Sequence, residues 1–311
     1  MINFAYNTNT VTKYKGALVE GYVTDATGAQ VFQSNLGLVS SGGTNRILEG
    51  HKINEFRVYE VYKGSGTYTN SDGTVNKNGG PKDGMIRTID DLNWAKAMIL
   101  AGYKLLPANT VSATGIYYGD LVYADLNGDG QYGNSYDQKF VTTSTLPKYI
   151  FGFNVELNWK SFDLSMVWAG AVGFQYYWND TYNNSTVRNG FALSNMVIKD
   201  HYFYNPLDAN DPKNNINAYY TRLKASDAQN SSVASDRWLY NASWIKLKNL
   251  QIGYNIPEKI TKKATISRAR IFISGENLLM ITKYPGVDPE EGAGIAYPTM
   301  RQYALGINVN F

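Results

Sequence analysis

Tyr149-Ile-Phe-Gly-Phe-Asn-Val-Glu-Leu-Asn-Trp-Lys160 is the stretch that decides how the chain is read. Tyr149, Phe151, Phe153, Val155, Leu157 and Trp159 fall on one side of an extended ribbon. Ile150, Gly152, Asn154, Glu156, Asn158 and Lys160 fall on the other. One side is wholly apolar and the other almost wholly polar, the period-two signature of a strand with two different environments. Strands of soluble domains usually stop at about five or six residues. About ten residues rising ~3.3 Å each, tilted by ~45°, cover roughly 23 Å, close to the ~25 Å apolar band of a transmembrane barrel wall.

The same pattern extends outward from this ribbon. Phe162, Leu164, Met166 and Trp168 follow directly after Ser161, which predicts a tight hairpin. At the C-terminus Tyr303, Leu305, Ile307, Val309 and Phe311 oppose Gln302, Ala304, Gly306, Asn308 and Asn310. Ile245 and Leu247 begin a further strand whose phase changes to Leu250, Ile252 and Tyr254, predicting a bulge near Lys248-Asn249. Ile271 and Ile273 mark the last strand but one. Weaker strand patterns cover residues 2–11, 14–24, 31–39 and 53–62, for a total of roughly eight to ten strands. One helix is predicted over 89–101, because Leu92, Ala95, Met98 and Ile99 recur at helical spacing and Thr88 with Asp91 has the capping-box offset. It is expected to do no more than decorate a loop.

Composition narrows the classes. The 311 residues carry 29 Lys+Arg against 26 Asp+Glu, a formal net charge of +3. That excess is too small to make a nucleic-acid-binding surface by itself, so no nucleic-acid partner is expected. Cysteine is absent, which removes disulfides, thiolate metal sites and cysteine nucleophiles. Only His51 and His201 are available for imidazole chemistry, and the chain is expected not to be an enzyme, with no catalytic residues and no catalytic cofactor. No run of about 18 apolar residues forms a membrane helix. The first residues alternate as a strand does and lack the charged and apolar regions of a targeting peptide. Aromatic content of 14% with 25 tyrosines suits an all-β protein and outer-membrane barrels in particular.

Loop lengths then predict topology, since such barrels keep short turns at the periplasmic rim and long loops outside. If Phe311 ends at the periplasmic rim, residues 283–299, 174–243 and 64–148 are extracellular, and Lys160-Ser161 and 255–264 are periplasmic. Every very long connection falls on one side, as a barrel requires and a soluble sandwich does not. The N-terminal quarter fits this alternation poorly.

Several segments of the last third resemble one family. They are Ser243-Trp-Ile-Lys-Leu-Lys-Asn-Leu-Gln-Ile-Gly-Tyr-Asn-Ile-Pro257, Arg270-Ile-Phe-Ile-Ser-Gly-Glu-Asn-Leu-Leu279, Lys283-Tyr-Pro-Gly-Val-Asp-Pro-Glu290, Tyr297-Pro298 and the closing Phe311, with Gly119-Asp-Leu-Val-Tyr-Ala-Asp-Leu-Asn-Gly-Asp-Gly130 upstream. Together they resemble the C-terminal barrel portion of the SusC/RagA family of TonB-linked (TonB-dependent) outer-membrane transporters. The resemblance implies an antiparallel transmembrane β-barrel, of which residues 1–311 are the C-terminal part of a larger barrel of about 22 strands. It implies a place in the cell outer membrane, bounded by lipid, and import of an oligosaccharide or peptide with a SusD-like surface lipoprotein and the TonB complex. The family's plug domain and TonB box have no counterpart here, so the chain is expected to be a truncated, split or fragmentary form.

Three constellations invite chemistry. Asp125, Asn127, Asp129 and Gln131 stand at alternate positions with Gly130 at the sixth, the opening of an EF-hand-type calcium loop. The twelfth position is Tyr136, and the nearest closing carboxylate is Asp137. A structural Ca2+ pinning an outer loop and a metal-free Asx turn are both open readings. Asp288, Glu290 and Glu291 are adjacent carboxylates without the spacing that acid/base hydrolysis needs, and a loop fixed by Pro285 and Pro289 accounts for them. Tyr176, Tyr177, Trp178 and Tyr182 could stack on sugar rings, or could serve as loop core or membrane-rim girdle. Asn183, Asn184, Asn230 and Asn241 sit in glycosylation-like triplets expected by chance in so Asn-rich a chain. The competing functions are a small self-contained pore or adhesin, and a soluble calcium-dependent carbohydrate-binding β-sandwich. The sandwich would bury Phe153 and Ile307 between two layers.

Overall fold

The computed structural model describes residues 1–13, 19–24, 26, 28, 30–34, 48–105, 112–178, 193–224, 230, 233–294, 297 and 299–311. The chain divides into two compact units, one of residues 1–9, 143–176 and 240–311, the other of residues 10–142 and 177–239.

The first unit is a six-stranded antiparallel sheet. Its strands are β1 (Ile2–Tyr6), β2 (Tyr149–Trp159), β3 (Phe162–Val172), β4 (Trp244–Asn255), β5 (Arg268–Thr282) and β6 (Gln302–Asn310). They lie in chain order, β1 and β6 forming the edges. Lys160, at φ 55°, and Ser161 turn β2 into β3, with Trp159 opposite Phe162. The bulge lies where the change of phase placed it. Lys248 is the extra residue of β4 against β3, between the Leu247–Trp168 and Asn249–Val167 pairs, and the register with β5 shifts at the same point. This resets the phase, so that Leu247 and Leu250 share a face although they are three positions apart.

Opposed residues of an antiparallel pair point to the same side, so the register defines both faces. One carries Ile2, Phe4 and Tyr6; Tyr149 through Trp159 at alternate positions; Phe162, Leu164, Met166 and Trp168; Leu250, Ile252 and Tyr254; Ile271 and Ile273; and Tyr303, Leu305, Ile307 and Val309. This face is apolar from edge to edge and open: Leu305 is 73% exposed, Ile307 65% and Ile273 60%. Phe153 is half-buried against Trp168, rings 5.7 Å apart. Among the described residues no second sheet packs over Phe153 and Ile307, which counts against the sandwich reading. The opposite face carries Asn3, Asn154, Glu156, Asp163, Ser165, Gln251, Asn255, Arg270, Ser274, Gln302 and Asn308.

The sheet corrects the strand count. The expected total of roughly eight to ten was too high for the wall, because the patterns at 14–24, 31–39 and 53–62 contribute strands Glu20–Thr24, Gln30–Ser34 and Glu55–Tyr59, none of which joins the six-stranded sheet. Short strands with no partner in the wall mimic its alternation locally. With β1 followed directly by β2, the poor fit of the N-terminal quarter disappears. Residues 7–148, 173–243 and 283–301 all connect strands at one end, and residues 160–161 and 256–267 at the other.

The second unit holds most of the buried apolar side chains. The helix α1 (Ile89–Leu100) forms as its spacing predicts, with the Thr88 side chain accepting from the Asp91 N–H and the Asp91 carboxylate accepting from the Thr88 N–H. It is no decoration. Leu92, Trp94, Ala95 and Met98 are buried with Tyr62, Met85, Ile86, Leu121, Tyr132 and Tyr202. Each large side chain removed from water contributes roughly 1.5–3 kcal/mol. Trp94 stacks on Tyr62 at 5.3 Å and lies over Gly80, where a Cβ would stand 2.6 Å from the indole. Because Tyr202, Ala218 and Val233 belong to the same core, the two long connections fold together rather than as separate loops. The chain also has more than the one helix expected, with short turns at Asn195–Asp200 and Glu258–Thr261.

Candidate functional site

The polar face of the sheet has one built feature along its strands. Arg270 on β5 reaches over β4 to Asp163 on β3, its Nε donating to Oδ2 at 2.9 Å and its Nη2 to Oδ1. Gln251 accepts from the same guanidinium at 3.1 Å, and Asn255 donates to Asp163 at 3.2 Å. The passage exists because Gly253 lies between, where a Cβ would stand 2.4–2.5 Å from both partners. The Arg270 guanidinium also sits 5.1 Å from the Phe272 ring, which covers Gly306. Sequence reasoning missed this cluster. The available signal was a Gly inside a long strand with an acid and an arginine on its polar side.

At the end of the long connections the 283–299 segment is strapped to the wall. Buried Lys246 donates to Asp288 and Glu290, each at 2.8 Å, and Lys248 donates to Glu290. Thr299 donates to Asp288 at 2.7 Å. Burial alone would raise the Asp288 and Glu290 carboxyls, but the lysine hydrogen bonds outweigh it and hold both below their ordinary values. These carboxylates are thus anchors of the loop, a role the sequence reading gives to Pro285 and Pro289. Glu291 donates only its backbone N–H, to the Asp288 carbonyl, and accepts at 3.5 Å from Thr299.

The 125–137 turn gathers its predicted oxygens around N–H donors. Asp125 accepts from Gly128, Asp129 and Gly130, Asp129 from Gln131 and Asn134, and the Asn127 side chain from Asp129. Asp137, fully buried, accepts from Leu126 at 2.7 Å and from Gly133 and Asn134 at 2.9 Å. Burial pushes Asp137 up to about 7 and also raises Asp125, against the pull of those N–H groups. Among the described residues no group of three His, Asp or Glu side chains is arranged to hold a metal ion.

The aromatic run divides. Half-buried Tyr176 donates to the Pro289 carbonyl at 3.1 Å and meets Phe174 and Tyr284 edge-on. Tyr177 donates to the Val233 carbonyl, and Trp178 is buried. Tyr182, Asn183 and Asn184 lie outside the described residues. Asn230 is buried, accepting from Leu121 and donating to Asp120, and the exposed Asn241 accepts from Ser243. His51 bonds Glu55 and stacks on Phe140 at 4.0 Å, whereas His201 caps the Ile198 carbonyl at 2.9 Å.

No family model matches the chain. It is 28% identical over 208 residues to "TonB-dependent receptor P3" of Formosa agariphila, covering 62% of this chain and 19% of that one. It is 23% identical over 195 residues to "TonB-dependent receptor SusC" of Bacteroides thetaiotaomicron, covering 61% and 17%. The chain therefore spans about a fifth of the length of the curated relatives it matches. Two solved structures share its fold over 94% of its length and 28% of theirs. One is the RagAB peptide importer in the open-open state, at 20% identity and a TM-score of 0.51, and the other the RagAB peptide transporter, at 18% and 0.52. In sequence the chain is similar to curated TonB-dependent receptors, SusC among them, and in fold to the RagAB structures, and its place is the outer membrane.

Proposed function

We propose that the six strands form a stretch of barrel wall in a TonB-energised nutrient importer, the apolar face toward lipid and the polar face toward the lumen. The observation that carries this reading is the apolar face itself, which runs unbroken across all six strands and is left open to the surroundings. Exposing so much contiguous apolar surface to water is unfavourable for a soluble protein. Bands of aromatics at both ends support it: Tyr6 and Tyr149 lie 5.3 Å apart at the end of the long connections, and Phe162 and Tyr254 lie 4.8 Å apart beside Trp159 at the other. These are the positions of interfacial girdles.

In this reading the long connections 64–148 and 174–243 are extracellular, a SusD-like lipoprotein is the surface partner, and the chain carries solute rather than transforming it. The cargo is an oligosaccharide or a peptide, the latter being the named cargo of the RagAB importer. Tyr176 and Tyr177 are the described members of the aromatic run suited to substrate contact, since both are only partly buried whereas Trp178 is buried. A structural Ca2+ at the 125–137 turn is a further part of this reading, bound through the carboxylate lone pairs not given to N–H donors. A small self-contained pore is disfavoured because the edges β1 and β6 do not pair with each other among the described residues.

The test is uptake in the native host. Deleting this chain should abolish uptake of one class among labelled oligosaccharides and peptides, a class whose entry also stops when the membrane potential is collapsed. Unchanged uptake of every class, with the protein present in the outer membrane, would reject the importer reading.

A further inference from the structure

We propose that the short-turn end of the wall is a binding rim for anionic phospholipid headgroups, centred on Lys160. The proposal rests on the reading of the sheet as a bilayer wall. Lys160 occupies the left-handed position of the β2–β3 turn, and its Nζ stands 4.8 Å from the centroid of the Trp159 ring. Trp159 belongs to the apolar face and is 66% exposed, so the ammonium is held beside the ring at the level where hydrocarbon gives way to headgroups. The neighbouring turn, residues 256–267, carries Lys259, Lys262 and Lys263 against a single carboxylate, Glu258, which Lys262 engages at 2.7 Å. Among the described residues no carboxylate pairs with Lys160, Lys259 or Lys263, and all three are exposed. The end therefore presents uncompensated cations next to Trp159, Phe162 and Tyr254. Phosphate is the complementary charge available at that depth. A phosphodiester headgroup can accept from the Lys160 ammonium while its chains lie along Leu157 and Leu164.

The experiment uses the outer-membrane-assembled protein in nanodiscs of phosphatidylethanolamine with a minority of phosphatidylglycerol. Bromine is placed on the acyl chains of one lipid or the other at equal mole fraction. Quenching of Trp159 is read as the difference between the protein and its Trp159→Phe variant. Brominated phosphatidylglycerol is expected to quench more than its share, with an enrichment of about fivefold for each cation engaged. Lys160→Gln together with Lys259→Gln and Lys263→Gln should return the two lipids to parity. Equal quenching by both lipids in the unmodified protein, or a preference that survives the triple substitution, would overturn the headgroup rim and leave the wall reading intact. No quenching of Trp159 by either lipid would overturn the wall reading itself.

Discussion

Arg270 and Asp163 are bonded although their strands are not neighbours: the guanidinium crosses β4 at Gly253, with Nε 2.9 Å from Oδ2. The pair staples three strands on the polar face, and its geometry depends on the missing Cβ. Gly253→Val should break it without adding or removing a charge. The expected cost is about 1–2 kcal/mol, since both groups stay partly hydrated. The urea midpoint of the heat-modifiable folded band in detergent should fall accordingly. An unchanged midpoint would mean that the staple contributes nothing.

The two faces make opposite predictions for one charge. Val155→Arg places a guanidinium mid-wall on the apolar face, where lipid contact costs ~2–4 kcal/mol, and should block assembly in the outer membrane. Asn154→Arg, one residue earlier, faces the polar side and should assemble normally. Fractionation of the membranes checks both, and equal behaviour of the two variants would contradict the assigned faces.

Lys246 is the shared anchor of the 283–299 strap. Lys246→Met leaves Asp288 buried without its counter-charge, a loss of about 3–5 kcal/mol when one partner of a buried pair is removed. The strap should become protease-sensitive while the wall remains folded. Acid should mimic this. Both carboxyls are held below their ordinary values, so their contribution is complete above the unfolded range of about 4 and is lost as pH falls through the folded values. Cleavage within 283–299 should be unchanged between pH 7 and 5 and rise only in stronger acid. Loosening already at pH 6 would point to a different group.

At the 125–137 turn, Asp137→Asn replaces an acceptor by a donor facing backbone N–H groups, and should cost about 1–3 kcal/mol. Hydrogen exchange over this turn should quicken in the variant without calcium. If the turn also takes Ca2+, the unmodified protein should gain protection on adding calcium relative to chelator, and Asp125→Ala should not. Equal exchange in calcium and chelator for both would remove the metal.

Alternation in 149–159 and 302–310 made the wall legible, because burial on one side of a ribbon writes itself into every second residue. The Lys248 bulge was legible for the same reason, as a break of phase. The weaker patterns at 14–24 and 31–39 misled because five-residue strands alternate in the same way wherever they pair. The helix at 89–101 was visible as a helix but not as a core element, since its spacing says which side is apolar and nothing about what covers it.

What local order could establish is therefore the identity of the ribbons, their two faces and the turn at Lys160-Ser161. Tertiary structure alone decided that β1 pairs with a strand more than a hundred residues away, that residues from both long connections share one core, and that Arg270 finds Asp163 through Gly253. Such pairings depend on register between distant segments, and periodicity within one segment carries no information about register with another.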